Sequence, residues 1–419
     1  MKKSFALFFC ILFILFSVTA CSNTLKSSDI QVGDNVEYSK DYGVKDKKTA
    51  YEFLFYDYSF AKMNYTVQNL QKDKFYEISA YVCSSELNCN NTDDGVKIKY
   101  NNDSDITSSF VFSNYINSST DNGDELVWKK ISKVVYCYDG NIDFSILLGS
   151  EEAKLKGDIS VDEVSVKPVE ELDDYCIFSS DDKCINAVFL KSDVENSKVK
   201  DANIVSYLNF ISKCRKSLND LIGDDYTYGK TNFVLTSQKA DFGNAGYPIF
   251  IDESKALSVL NNISKFNDSK VCNIETFALI HEMSHTFDRI CGENDDKIWQ
   301  FDSEFWANLK TFIVLDCLNI RQGDDVKERF NTEYAKKNNV YSSDDFAKNF
   351  YEISKKDNFK TLKKVFRKYD SIDTSNLNSD YDKFKRFEEI YNEVSNEKLK
   401  DEFSKDKWKT IENHFKSNN

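Results

Sequence analysis

The spacing of apolar and polar positions changes twice along the chain. From residue 29 to 168, short runs rich in Val, Ile, Tyr and Phe, such as "KFYEISAYVC", "GVKIKYN" and "GDISVDEVSVKP", are separated by clusters of Asn, Asp, Gly and Ser. Successive short β-type runs bounded by turn residues predict a β-sandwich. From 169 to 320 the order becomes an apolar strand ("INAVFLKS"), an amphipathic helix ("ANIVSYLNFISKCRKSLNDLI"), a strand ("NFVLTS") and a further strand ("AGYPIFID"), an α+β sequence. From 321 to 419 segments such as "NFKTLKKVFRKY" and "KFKRFEEIYNEVS" carry helical spacing, so this part is predicted to be mostly helical. The chain therefore reads as multidomain, a β-sandwich followed by an α+β domain with a helical C-terminal part.

The chain has two prolines, and both fall at informative places. Pro168 stands where the β pattern stops and the acidic stretch "VEELDD" begins, which marks the domain boundary. Pro248 lies inside the run "AGYPIFID", and a proline cannot donate to a neighbouring strand, so this run is predicted to be an edge strand. An exposed edge can pair with an extended peptide, and Gly246, Tyr247, Pro248 and Ile249 are candidates for a substrate strand, the alternative being a plain edge.

The N-terminus has a pattern of its own. Lys2 and Lys3 precede an apolar run from Phe5 to Phe16, then Val18-Thr19-Ala20 lead directly into Cys21. This resembles a bacterial lipoprotein signal, in which residues 1–20 are removed and Cys21 carries the lipid. Residues 21–28 then read as a polar tether, and the protein is expected outside the cell, anchored to the membrane rather than spanning it. An ordinary signal peptide or a short anchor helix is the alternative. The apolar run is short for a membrane span, which needs about 20 residues.

Composition narrows the remaining classes. Apolar residues at 41% and charged residues at 30% describe a globular chain able to bury a core in each domain. A formal charge of -14 repels phosphate backbones, so nucleic acid is not expected as a partner. Beyond Cys21 lie Cys83, Cys89, Cys137, Cys176, Cys184, Cys214, Cys272, Cys291 and Cys317. The close pairs Cys83/Cys89 and Cys176/Cys184 suit local disulfide staples, and no C-x-x-C spacing suggests a cysteine metal cluster.

The chemistry concentrates in "NIETFALIHEMSHTFDRI". Ile274, Phe277 and Ala278 continue the face that carries His281 and His285, and Asn273 is placed to cap the helix. Histidines four apart on one helix project their imidazoles one turn apart, close enough to share a tetrahedral Zn²⁺. Glu282 sits beside them, where a carboxylate can take a proton from a metal-activated water. The chain has three histidines, and two of them falling in this pattern by chance is on the order of one in a thousand.

A catalytic zinc takes three protein ligands. The candidates for the third are Asp288, Glu293, Asp302 and Glu304. Glu304 opens "SEFWANLKTFIVLD", whose Phe305, Leu309, Phe312 and Ile313 mark a second amphipathic helix able to pack beside the first. Asp288 would have to bend back, and Glu293 and Asp302 fall in the connecting loop. No oxyanion donor is singled out: His414, Tyr334, Tyr341, Tyr351 and Tyr369 all read more simply as packing or surface residues. Of Trp128, Trp299, Trp306 and Trp408, only Trp128 lies in the sandwich region, where it would be free to stack on sugar.

His-Glu-x-x-His followed by a Glu on a second helix resembles the gluzincin metallopeptidases. That resemblance implies a zincin-like catalytic domain over 169–320, with His281, His285 and Glu304 as zinc ligands and Glu282 as the base. It also implies that a side chain one turn after the third ligand braces a zinc histidine, and Asn308 holds that position; being Asn, it carries no charge of its own. Within the clan, "SEFWANL" and "YNEVSNEKLKDEF" resemble the enhancin-like and mucin-degrading peptidases over about residues 185–410. Cleavage of proteins bearing O-linked sugars is what this implies. Separately, "KGDISVDEVSV" resembles the last strand of the galactose-binding-like jelly rolls that serve as carbohydrate-binding modules, which implies glycan as a partner, with Asp162 standing where a structural Ca²⁺ ligand would lie. A sandwich that only spaces the enzyme from the membrane is the alternative.

The sequence thus leads to a surface zinc endopeptidase acting on protein or glycoprotein. Its rivals are a catalytically inactive glycan- or protein-binding surface lipoprotein and a zinc hydrolase of some other amide or carbonyl substrate.

Overall fold

The structure is a computed structural model that describes residues 25–41, 50–84, 87–89, 95–100, 110–112, 128–150, 154–222, 229–236, 242–287, 300–331, 340–369, 372 and 376–417. Cys21 and the leader lie outside these residues, as do Asp288, Glu293, Trp299 and Tyr334. Two compact units are present, one ending at Asp173 and the other beginning at Asp174. Among the described residues no helix is long and apolar enough to cross a membrane.

The first unit is built from strands β1 (Asp29–Val32), β2 (Val36–Asp41), β3 (Ala50–Ser59), β4 (Ala61–Val67), β5 (Lys74–Cys83), β6 (Leu87–Cys89), β7 (Val96–Tyr100), β8 (Phe110–Phe112), β9 (Lys129–Cys137), β10 (Ile142–Leu148) and β11 (Leu155–Pro168). They form two sheets, ordered β1-β4-β10-β7-β8 and β2-β3-β11-β5-β9, with β6 pairing to β11. The inward positions alternate as a half-buried strand requires: Ala61, Met63 and Tyr65 on β4 and Phe144, Ile146 and Leu148 on β10 are buried. They meet Phe53, Ile78 and Val161 of the opposite sheet in one core, so the unit is a β-sandwich. Tyr65 and Phe144 are register partners whose rings stack at 4.8 Å. Trp128 is half-buried just before β9.

Asp162 sits on β11 and is 1% exposed. Among the described residues no group of three His, Cys, Asp or Glu ligand atoms converges on it.

The second unit opens with β12 (Tyr175–Ser179), β13 (Ile185–Leu190), α1 (Lys191–Ser197), α2 (Asp201–Ile222), β14 (Thr231–Thr236), β15 (Gly243–Asn244), β16 (Ile249–Asp252) and α3 (Glu253–Ser269). The sheet order is β12-β13-β14-β16-β15, antiparallel between β12 and β13, parallel between β13 and β14, and antiparallel between β16 and β15. On α2 the buried residues Ile204, Tyr207, Leu208, Ile211, Leu218 and Leu221 recur every three or four positions, the stripe that packs a helix on a core.

Two sequence expectations are corrected here. "AGYPIFID" is not one strand: residues 245–248 form a turn containing a cis Tyr247–Pro248 bond, and the strand starts at Ile249, directly after the proline that cannot join a ladder. β16 lies inside the sheet, so the edge is the two-residue β15. At Gly243 a Cβ would stand 2.5 Å from the Phe250 carbonyl oxygen, so the close pairing of β15 with β16 requires glycine. The second correction concerns disulfides: Cys83, Cys137, Cys176, Cys184, Cys214, Cys272 and Cys317 are free thiols. Cys176 pairs with Phe189 while Cys184 precedes β13, and Cys83 and Cys89 oppose Ser160 and Leu155 on β11. Each pair is thus about five rungs apart, roughly 16 Å along a strand, beyond the roughly 7 Å that a disulfide bridges.

The rest of the unit is helical: β17 (Val271–Cys272), α4 (Ile274–His285), α5 (Ser303–Cys317), β18 (Arg321–Gln322), α6 (Asp324–Arg329), α7 (Ser343–Lys355), α8 (Lys360–Tyr369), α9 (Asp380–Ser395) and α10 (Lys405–Ser417). β17 and β18 pair in parallel and join the start of α4 to the end of α5. The two helices therefore run antiparallel, and the end of α4 meets the start of α5. Helices α7 to α10 surround α5 with aromatic rings: Phe305 stacks on Phe346 at 4.4 Å and Trp306 meets Phe387 edge-on at 5.1 Å. Trp306 and Trp408 are thus packing residues, 0% and 8% exposed.

Phe346 is fully buried against this helix. Replacing it by Ala removes a ring from a core that cannot fill the space, and should cost about 3–5 kcal/mol by urea unfolding. A loss under about 1 kcal/mol, the range of a tolerated core swap, would show that the C-terminal helices do not brace α5.

Candidate metal centre

Helix α4 begins at Asn273, whose Oδ1 accepts the Thr276 N–H at 3.0 Å. A second clasp holds the same end, where the Ile274 N–H donates to Asp325 at 2.9 Å. Helix α5 begins at Asp302, whose Oδ1 accepts the Phe305 N–H at 2.9 Å. The other oxygen of Asp302 accepts the hydroxyls of Tyr341 and Ser343. Both oxygens are thus engaged, one in the cap and one with two hydroxyls, which takes Asp302 out of the contest for third ligand.

Between the helices the contacts are polar and close. Ser284 Oγ donates to the Ala307 carbonyl at 3.2 Å, and the Lys310 ammonium, 0% exposed, donates to the Ser284 carbonyl at 2.6 Å. That cation meets the C-terminal turn of α4, where the helix carbonyls point.

Three ligand atoms converge where the helices meet. His281 Nε2 lies 3.1 Å from His285 Nε2, and Glu304 oxygens lie 3.3 Å from the first and 3.5 Å from the second. Two ligands of a tetrahedral zinc with bonds of about 2.0–2.1 Å sit about 3.3 Å apart. Nε2 of each histidine and a carboxylate with one oxygen toward each thus stand close enough to share a zinc ion. The imidazole side chains are 12% and 11% exposed and the carboxylate 59%, so the site opens to solvent on the Glu304 side. Asn308 Oδ1 lies 2.9 Å from His281 Nδ1, behind the ring.

The electrostatics without a cation are those of a partly buried acid–base cluster that opens to solvent at Glu304. Hydrogen bonds from His281 and His285 hold Glu304 well below the usual carboxylate range. Burial alone would lower His281, but its bond to Glu304 and the charge of Glu282 raise it on balance. Burial brings His285 down to about 4. Burial pushes Glu282 up to about 7, offset in part by His281 and by the Ala245 N–H that its carboxylate accepts. A carboxyl poised near neutrality suits proton transfer in both directions.

The segment expected to be a substrate strand also contacts Glu282. Ala245 follows the edge strand and bonds Glu282, and the Tyr247 hydroxyl donates to the Thr286 carbonyl at 3.1 Å. Gly246 and Pro248 shape this turn, and Ile249 is buried in β16. Sequence reading had no signal for Ala245, because the group involved is a backbone N–H. It also missed Asp344, which accepts the Asn308 amide at 3.0 Å; "SSDDF" reads only as a helix start. The remaining aromatic candidates are engaged elsewhere. Tyr341 stacks on His414 at 3.9 Å, the Tyr351 hydroxyl donates to Asp316, and Tyr369 is buried in the core.

No family model matches the chain, and no curated protein matches it. Among solved structures, a family 4 carbohydrate-binding module is similar at 22% identity over 32% of this chain and 77% of its own, with a TM-score of 0.21. A family 61 module in complex with beta-1,4-galactotriose is 11% identical over 34% of this chain and 90% of its own, TM-score 0.20. A family 22 xylan-binding module from Paenibacillus barcinonensis is 12% identical over 35% and 90%, TM-score 0.21.

Two outcomes test the site. Glu304→Ala should weaken zinc binding by more than the 10–100-fold typical of outer contacts, read by chelator competition; full retention would move the third ligand elsewhere. The second concerns Glu282, raised in the folded protein from 4.5 to about 7. The folded state holds its proton more tightly than the unfolded chain, so the residue costs stability progressively as pH rises from about 4.5 to 7, and fully above that. Glu282→Gln should therefore raise the melting temperature of the metal-free protein more at pH 8 than at pH 5, and an equal gain at both would refute a buried, raised carboxyl.

Proposed function

We propose that the second unit is a zinc-dependent hydrolase that cleaves peptide bonds. What supports this is the convergence of His281, His285 and Glu304 with Glu282 half-buried beside them. When bound, zinc supplies a Lewis acid that polarises a carbonyl and lowers the pKa of a water to about 7. The chain's own residues do the rest. Glu282, fixed by the Ala245 N–H, takes a proton from the attacking water and returns it to the leaving nitrogen. Asn308 orients His281 from behind, and the low exposure of the imidazoles keeps bulk water away from the metal side.

Peptide is favoured over other amides by one feature. β15 is the last strand of its sheet, and its neighbour Ala245 touches the base, so an extended chain added to that edge would run past Glu282. In this reading the leader exports the protein and Cys21 tethers it, and the sandwich serves as a binding or spacing unit on the outer surface. Glycoproteins such as mucins are the substrate class that the sequence resemblance suggests.

The experiment is incubation of the purified protein with casein and with mucin-type glycoproteins, with and without a chelator. Chelator-sensitive cleavage is expected. Glu282→Gln should keep one zinc and lower kcat/KM by about 10²–10⁴-fold, the usual share of a general base. Zinc bound without cleavage of any peptide would sink the peptidase reading, and persistent activity in Glu282→Gln would remove Glu282 as base.

A further inference from the structure

The contact behind His281 does not end at Asn308. Asn308 is 3% exposed, and its Nδ2 donates to Asp344 Oδ1 at 3.0 Å, while its Oδ1 faces His281 Nδ1 at 2.9 Å. The second oxygen of Asp344 accepts from Arg329 at 3.2 Å. Asp344 lies in the first turn of α7, which is capped by Ser342, so the helix dipole also favours its negative charge. Ser343 beside it bonds Asp302, which fixes this turn of α7 against the start of α5.

Donor and acceptor arithmetic then determines each partner in turn. An ionised carboxylate only accepts, so it takes the amide nitrogen of Asn308 and leaves the amide oxygen to face the imidazole. That oxygen also only accepts, so His281 Nδ1 carries the proton. A histidine with its proton on Nδ1 has its lone pair on Nε2, the atom that faces His285 and Glu304. A lone carboxamide has no such preference, since rotation by half a turn would present its N–H₂ to His281 and demand the opposite tautomer.

We propose that Asp344 is a positioning residue of the metal centre, which orients the Asn308 carboxamide and through it holds His281 in the tautomer that can bind a cation. This deepens the hydrolase reading and rests on it. The Asn308–Asp344 pair supplies in two steps the carboxylate that the position of Asn308 lacks.

The test uses the purified zinc-loaded protein with ¹⁵N-labelled histidines, of which there are three. Wild type should bind one zinc and show a slowly exchanging proton on His281 Nδ1. Asp344→Asn should weaken zinc binding about tenfold, the lower end for contacts outside the ligand shell, and should lose or speed exchange of that proton. The exchange of identities, Asn308→Asp with Asp344→Asn, places a carboxylate on His281 and an amide behind it, and should restore both readings. Wild-type zinc affinity and an unchanged proton in Asp344→Asn would overturn the proposal. So would a folded double variant that binds zinc tenfold or more below wild type and lacks the slowly exchanging proton, and this reading decides the matter if Asp344→Asn alone does not fold. A wild-type protein that melts cooperatively yet binds no zinc would instead overturn the metal reading beneath it.

Discussion

The second unit depends on how closely helices α4 and α5 approach each other at one end. The two histidine Nε2 atoms stand 3.1 Å apart and each lies 3.3 to 3.5 Å from one oxygen of Glu304 only because the end of one helix meets the start of the other, and no local feature of either segment sets those distances. They are set at the opposite end, where β17 pairs with β18 and Asp325 caps the first turn of α4. They are set also along the shared face, where Ser284 reaches the Ala307 carbonyl and buried Lys310 reaches the Ser284 carbonyl. Burying that ammonium carries a desolvation cost, which the carbonyls at the end of α4 offset. In return the helix that bears both histidines is fixed in rotation as well as position.

Seen this way, the C-terminal helices have a purpose beyond covering the core. Helix α5 is apolar on nearly every face, with Phe305, Trp306, Leu309, Phe312 and Ile313 all buried, so it can stand only inside a shell of other helices. The rings of Phe346, Phe387 and Phe415 belong to that shell. Glu304 is the exposed residue at the mouth of this buried rod, and the rigidity of the rod becomes the rigidity of the carboxylate.

What was legible in the sequence was what periodicity and spacing encode locally. The alternating strands of the sandwich, the stripe on α2, the cap at Asn273, and the histidines one turn apart follow from residue type and interval alone. The proximity of Glu304 to them was legible only as an allowed outcome, because it depends on packing between two helices. Other features were missed or misread. Helix α3 and strand β12 were passed over; "AGYPIFID" was read as one strand because its apolar count hid the turn at Pro248. The cysteine spacings suggested staples because sequence distance says nothing about how many rungs separate two positions on a ladder. Asp344 was invisible because its partner is 36 residues away and its neighbourhood reads as an ordinary helix start.

Glu282 shows why such gaps matter for the chemistry. Its carboxyl is raised by burial and by the charge of Glu304 and lowered by His281 and by the Ala245 N–H, so its poise near neutrality is a balance of enclosure, neighbouring charge and one backbone donor. That donor belongs to Ala245, in a turn whose path is set by the tight contact at Gly243 and by the Tyr247 hydroxyl on Thr286. A change of side chain at Ala245 would leave the donor in place, whereas a change that shifts the turn's backbone would move the base. Part of what sets the Glu282 carboxyl therefore resides in backbone geometry, at a position where residue type alone carries little information.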